Sequence, residues 1–292
     1  GEGFFDSLKV ACTTADTSIA AGEQFTIEQM IEAQNCQVIS KGTSGAKPLT
    51  LSFYCKANAN ATYVVELYAQ DVDRRISSLF NVTTDWTRVT VTFPADTTGE
   101  ITNDNGGGIK VSWWLHAGSN YSGGTLQTTW AAAADNTRAT GGDSFFDSTS
   151  RTFFLTGCQL EVGQNATTFE HEPFERTLLK CKRYLQVYNS YGASYAHFPS
   201  LGQGNASSIN WNHELPTQMR DTPTLETSGD WRVQDTYGGS YYTLSSISIS
   251  SGDSTDKLVR GSATTSSAIG TDIGRILSYG DSSARWTYKS EL

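Results

Sequence analysis

PLTLSFYCKA, residues 48–57, alternates strictly. Leu49, Leu51, Phe53 and Cys55 share one parity; Thr50, Ser52, Tyr54 and Lys56 share the other. Strand side chains point to opposite faces with a period of two, so this segment reads as a strand with one face in a core. The pattern recurs. YVVELYAQ (63–70) puts Tyr63, Val65 and Leu67 on one face, and TRVTVTFP (87–94) does the same with Val89, Val91 and Phe93. In IKVSWWLH (109–116), Ile109, Val111, Trp113 and Leu115 point in, and Lys110, Ser112, Trp114 and His116 point out. Alternation, rather than unbroken apolar runs, indicates antiparallel sheets with one buried face. Turn residues between the runs favour a β-sandwich over a parallel α/β fold.

The flanks are less regular. FFDSLKVACTT (4–14) reads as a strand with Phe5, Leu8 and Val10 as core candidates. FTIEQMIEA (25–33) fits strand or helix; its shortness favours the strand. Residues 117–150, rich in Gly, Ser, Thr and Ala, read as a long excursion across the sandwich surface.

GCQLEVGQNATTFEHEPFERTLLKCKRY, residues 157–184, begins as the end of a strand in which Phe154, Thr156, Cys158, Leu160 and Val162 share a core-facing parity. Gly163 stops it, a turn follows, and Glu175 to Leu185 is helix-forming. This run resembles the G-(V/C)-QLE-x-G-x-x-AT-x-FE … L-x-x-C-x-RY signature of bacteriophage virion proteins of the tail-fibre or receptor-binding type. Gln159, Leu160, Glu161, Gly163, Ala166, Thr167, Phe169, Glu170, Cys181, Arg183 and Tyr184 carry it together. KPLTLSFYCKA, TTDWTRVTVTFPADTTG and DNGGGIKVSWWLHAGSNY resemble further landmarks of that family. The likeness is strong over about residues 4–190 and thinner beyond, through LPTQMRDTPTLETSGDW and SSARWTYKSEL.

The resemblance implies a jelly-roll module like those of carbohydrate-binding domains, in a virion component made in the host cytoplasm. It also implies more chain upstream of Gly1. With the alternation it gives an all-β expectation: a jelly-roll β-sandwich over residues 1–188 and a second, small β-domain over 189–292. The job implied is non-enzymatic: assembly with other virion proteins and attachment to a host-surface glycan or protein, as a homo-oligomer, with a trimer expected. A capsid decoration or head-fibre protein and a glycan depolymerase are the alternatives.

Composition narrows the partners. A net charge of −9 argues against nucleic acid, whose phosphates need a basic patch. No apolar run approaches a membrane span. Five widely spaced cysteines fit neither a disulfide framework nor a zinc pattern, and Cys55 and Cys158 read as buried free thiols. No catalytic residue, metal ligand or cofactor site emerges. HEPFE (171–175) lacks the second histidine of a helical zinc site. Asp71 with Asp73, and Glu170 with Glu172, are the nearest approach to a glycosidase pair, and each also reads as loop carboxylates. Asp71, Asp73 and the run Asn103–Asp104–Asn105 are oxygen-rich enough for calcium, although plain turns share that composition. The glycine run before Ile109 is followed by a strand, so it reads as a hairpin loop and not a phosphate cradle.

Aromatic residues carry the binding signal, because sugars stack on flat apolar faces rimmed by hydrogen-bonding groups. Trp114, Trp231, Tyr237, Tyr241 and Tyr242 are the glycan or receptor candidates, the three tyrosines flanking a Gly-Gly turn. Gln159, Leu160, Glu161, Phe169, Glu170, Arg183 and Tyr184 form the structural motif. Glu161, at the end of an apolar strand, is expected to lock the sandwich to the segment leaving it through Arg183 or backbone N–H groups.

Overall fold

A computed structural model describes residues 3–189, 192–193, 195–205, 207–235, 239–268 and 273–291. The chain divides into two compact units between His171 and Glu172. The first contains β1 (Leu8–Ala11), β2 (Gln24–Glu32), β3 (Leu49–Ala57), β4 (Ala61–Ala69), β5 (Arg74–Val82), β6 (Thr87–Phe93), β7 (Gly107–Ala117), the one-turn α1 (Ser119–Ser122), β8 (Ala131–Ala132) and β9 (Thr152–Val162). Its sheets run β1–β9–β3–β6 and β2–β7–β4–β5–β8, all pairs antiparallel. This is the jelly-roll sandwich. The in-facing residues of β3, β4, β6 and β7 meet in one core, where Phe53 packs edge-on against Phe80 and Trp113.

Two expectations fail here for physical reasons. Alternation in β4 and β7 assigned one face to solvent, yet Val64, Glu66, Ser112, Trp114 and His116 on that face are all buried. Residues 118–142 cross the sheet and cover it, with Tyr121, Leu126 and Ala139 packed on Val64 and Trp114. Glu66 is wholly enclosed there and accepts hydrogen bonds from Arg138 Nε and Nη2 (2.7 Å from Nη2 to Oε1). The Arg138 guanidinium also lies 4.4 Å from the Trp114 ring centroid.

The second failure is in β9. Phe153 and Leu155, not Phe154 and Thr156, face the core. The register against β3 slips between Ser52 and Tyr54, where Gly157 takes φ = +59° and forms a bulge. The extra residue flips the parity, so Leu160 then packs inward as expected. A Cβ on Gly157 would collide with the Phe4 ring. Cys55 is buried; Cys158, in the bulge, keeps residue surface in solvent, while burial of its thiol pushes the pKa up to about 12. Phe5 and Leu8 are exposed too, leaving Val10 as the β1 residue against the core.

The second unit contains α2 (Phe174–Lys182), β10 (Leu185–Asn189), β11 (His197–Asn205), β12 (Ser208–Glu214), β13 (Thr224–Ser228), β14 (Trp231–Asp235), β15 (Tyr241–Ile249), β16 (Leu258–Thr265), β17 (Ile273–Ser278) and β18 (Arg285–Lys289). Six strands close a barrel in the order β11–β12–β16–β15–β14–β17, and β10–β18–β13 form a separate sheet. Trp211, Trp231, Trp286 and Tyr288 fill the core; Trp286 meets Trp211 and Trp231 edge-on at 4.9 and 5.7 Å. Gly261 lets β16 lie against Trp211, since any Cβ there would strike the indole. The expected boundary near Tyr188 lies inside this unit. β10, the strand containing Tyr188, is hydrogen-bonded to β18, and α2 leads directly into it.

Candidate functional site

In WRVQD (231–235), β14 alternates, sending Trp231 and Val233 into the barrel and Arg232 and Gln234 to its exterior. The ladder then fixes what surrounds them. Gln234 is opposite Tyr241 on β15, and Arg232 is opposite Leu277 on β17. Tyr279 follows β17 and is tied back by its N–H to the Asp230 carbonyl (2.9 Å). Tyr195 approaches from the segment before β11, where the neighbouring Ala196 carbonyl accepts from Ser278 N–H (3.0 Å).

The result is a cluster of three rings around one cation. Tyr279 lies 4.8 Å from Tyr241 and 5.4 Å from Tyr195, the latter pair edge-on at 88°. The Arg232 guanidinium carbon is 3.7 Å from the Tyr279 ring centroid. Asp230 accepts from Arg232 Nη2 (2.9 Å) and raises its already high pKa, so the cation is permanent. Gln234 Nε2 donates to the Tyr241 hydroxyl (3.2 Å). Tyr195 and Tyr241 keep 52% and 39% of their surface in solvent, enough to offer ring faces to a ligand. Fixed aromatic faces beside a guanidinium, an amide and a carboxylate are the elements that hold a sugar ring or a comparable polyol.

Only part of the expected site is assembled here. Tyr241 belongs to it. Tyr242 points the other way and packs against the barrel core, and Trp231 is part of that core. Trp114 is enclosed in the first unit. Tyr237 lies outside the described residues. Tyr195, Arg232 and Tyr279 went unrecognised because they come from three separate strand ends. Barrel closure alone joins them, and only the outward parity of Arg232 in WRVQD hinted at one member.

The structural motif proves to be two devices. In the first unit, Glu161 accepts from Thr167 N–H (3.0 Å) and Oγ1–H, and Gln159 Oε1 accepts from Glu170 N–H (2.8 Å). Phe169 packs edge-on against Phe4 at 4.9 Å, and Leu160 anchors the strand in the core. Burial alone would push the Glu161 pKa up, but the hydrogen bonds from Thr167 and Gln159 outweigh it and hold the carboxyl below its ordinary value. The partner is thus a backbone N–H and a hydroxyl, not Arg183. Arg183 and Tyr184 serve the second unit, where their carbonyls accept from Arg220 N–H and Ser290 N–H at 2.8 Å each.

Three of the four carboxylates considered for chemistry are engaged by neighbouring groups. Asp71 accepts from Thr102 N–H and Oγ1–H, Asp73 from the Tyr68 hydroxyl, and Glu172 pairs with Lys180. Among the described residues, no group of three or more His, Cys, Asp or Glu is placed to hold a metal ion. No helix among them is long and apolar enough to cross a membrane.

No family model matches the chain, and no curated protein matches it. Among solved structures it is similar to one titled "CBM4 structure and function", at 13% identity and a TM-score of 0.25 over 48% of this chain and 60% of that one. The chain thus spans 60% of that structure's length. It is also similar to discoidin II from Dictyostelium discoideum (8% identity, TM-score 0.21, 95% and 80% of the two chains). A third likeness is to the T=1 Penaeus vannamei nodavirus (11%, 0.23, 97% and 96%). Scores this low carry no argument about function.

Proposed function

We propose that this chain is a non-enzymatic bacteriophage structural protein of the tail-fibre type. In this reading it joins other virion proteins and attaches the particle to a host-surface glycan or protein receptor. The observation that carries the attachment role is the exterior cluster of Tyr195, Tyr241 and Tyr279 around Arg232. It offers ring faces and fixed polar groups and, among the described residues, no adjacent pair of free carboxylates, which favours binding over glycan cleavage. The virion assignment rests on the QLEVG…CKRY resemblance.

Self-association has its own support. No residue of α2 is buried, and Phe174, Leu178 and Cys181 follow a 4–3 spacing along it. Leu179, and Leu185 and Val187 on β10, add exposed apolar surface. An apolar seam of this spacing is what a helix offers to copies of itself. The assembly proposed is a homotrimer, a number taken from the family resemblance.

The attachment role is tested by sedimenting the full chain with purified host envelope polysaccharide while reducing ends are assayed in the same tube. Co-sedimentation without new reducing ends, lost in Tyr241→Ala and Tyr279→Ala, is the expected result. New reducing ends would establish the depolymerase reading instead. Absence of any binding would leave the capsid-decoration role.

A further inference from the structure

A second aromatic surface lies in the first unit, on the outer face of the β1–β9–β3–β6 sheet. The β3–β9 register places Tyr54 opposite Thr156 and Lys56 opposite Phe154, so these four share the outward face. Trp86, from the turn between β5 and β6, stands edge-on to Phe154 at 6.2 Å. Segment 4–7 closes the other side. There Phe4 lies 5.3 Å from the Tyr54 ring, and the Asp6 carbonyl accepts from Thr156 Oγ1–H (2.8 Å). Between these walls is a groove of about 360 Å³, within the size range of small-ligand sites.

The charges at this groove, Lys56 in its lining and Lys9 beside its Phe154 wall, are unusual for the molecule. The Lys56 ammonium sits 5.2 Å from the Trp86 ring centroid and 5.0 Å from that of Phe154, and Lys9 sits 5.7 Å from Phe154. Among the described residues, neither lysine has a carboxylate within ion-pair distance. The chain carries a net charge of −9, so nearby acids would be the default. Arg88, by contrast, is committed to Ser52 and the Thr167 carbonyl. Trp86 keeps 40% of its surface exposed, leaving the indole open for stacking. Among the described lining residues, Asp6 is the one carboxylate, an acceptor for sugar hydroxyls.

We propose that this groove binds carboxylate-bearing sugars, uronic or sialic acids, with the pyranose stacked on Trp86 and its carboxylate at Lys56 and Lys9. The proposal deepens the glycan-attachment reading by naming an acidic sugar, but it uses a different unit and none of the tyrosine-cluster residues. Single-stranded nucleic acid also combines stacking with cations, but it needs a basic track along its phosphates, and two lysines on an acidic chain do not supply one.

The test uses isothermal titration of the full chain with oligogalacturonate, its methyl ester, oligosialic acid and an oligothymidylate. Binding of an acidic oligosaccharide is expected, weakened about three- to fivefold by Lys56→Gln and more by Trp86→Ala. The same titration is expected to be unchanged by Tyr241→Ala. Trp86→Phe, which keeps a ring, should retain most of the binding and guards against a folding artefact. Equal affinity for oligogalacturonate and its ester would overturn the acidic selectivity. No binding of either acidic oligosaccharide, or tighter binding of the oligothymidylate, would overturn the proposal outright. Loss of polysaccharide binding in Tyr241→Ala with this titration intact would separate the two sites.

Discussion

Arg138→Ala is the most incisive perturbation of the first unit. Glu66 is 0% exposed and accepts from Arg138 at both carboxylate oxygens. Removing the guanidinium leaves a carboxylate buried without its counter-ion, a change that costs about 3–5 kcal/mol in comparable buried pairs. Loss of the cation–π contact to Trp114 adds about 1 kcal/mol. For a unit of this size the midpoint falls by about 2–4 °C per kcal/mol, so a drop of about 8–24 °C is expected. The control is Glu66→Leu with Arg138→Met, which removes both charges and keeps apolar volume. It should recover most of the loss, because the penalty lies in the orphaned charge and not in the missing bond. Differential scanning calorimetry of the full chain reads the melting of the first unit. Limited proteolysis reads the 118–142 segment, which the pair tethers and which should become cleavable in Arg138→Ala. A shift below about 2 °C, or a double variant no more stable than the single one, would refute the assignment of this pair as the tether.

Three further outcomes are expected. His213 is enclosed beside the Tyr288 hydroxyl (3.1 Å), and burial depresses its pKa from 6.5 to about 4. The folded state therefore binds fewer protons than the unfolded state between those values. The second unit should lose about 3 kcal/mol as pH falls from 6.5 to about 4 and little more from this group below that; urea titrations across the range should show a flatter profile in His213→Asn. Glu161→Gln removes a charged acceptor from Thr167 and should lower the first unit's stability by about 1–2 kcal/mol without altering polysaccharide binding; an unchanged melting temperature would count against the clasp. Leu178→Glu on α2 should shift the oligomer seen by light scattering toward monomer with the far-ultraviolet spectrum unchanged, and an unaltered mass would remove α2 from the assembly surface.

The strands of the sandwich were legible because β3, β4, β6 and β7 keep a strict period of two, and their in-facing sets all meet in the core. The error at Trp114 shows the limit of that signal. Alternation tells which residues share a face but not whether the opposite face meets water, and here residues 118–142 decide it. β9 shows another limit: a single bulge at Gly157 exchanges the faces, so parity counted back from Leu160 misplaces Phe153 and Phe154. The tyrosine cluster was half legible. Tyr241 stood out beside its Gly-Gly turn, but Tyr195, Arg232 and Tyr279 lie up to 84 positions apart (279 − 195) and become neighbours only through barrel closure. Lys56 and Trp86 were hidden the same way, one on β3 and the other in the turn before β6, brought together by registers a sequence does not disclose.

The β10–β18–β13 sheet has a consequence for biogenesis. β18, translated after every other described strand of this unit, is its central member and delivers Trp286 and Tyr288 to the core. The barrel likewise waits for β17, which bridges β11 and β14. The second unit therefore has no stable half-made form, whereas every strand of the first unit has been translated by Val162. On the ribosome the sandwich is free to fold early and alone. A message truncated before Arg285 would yield a finished sandwich carrying an unfolded tail, a product open to proteases at once. Completion of β18 thus acts as a quality check on the second unit, exercised before any copy enters an assembly.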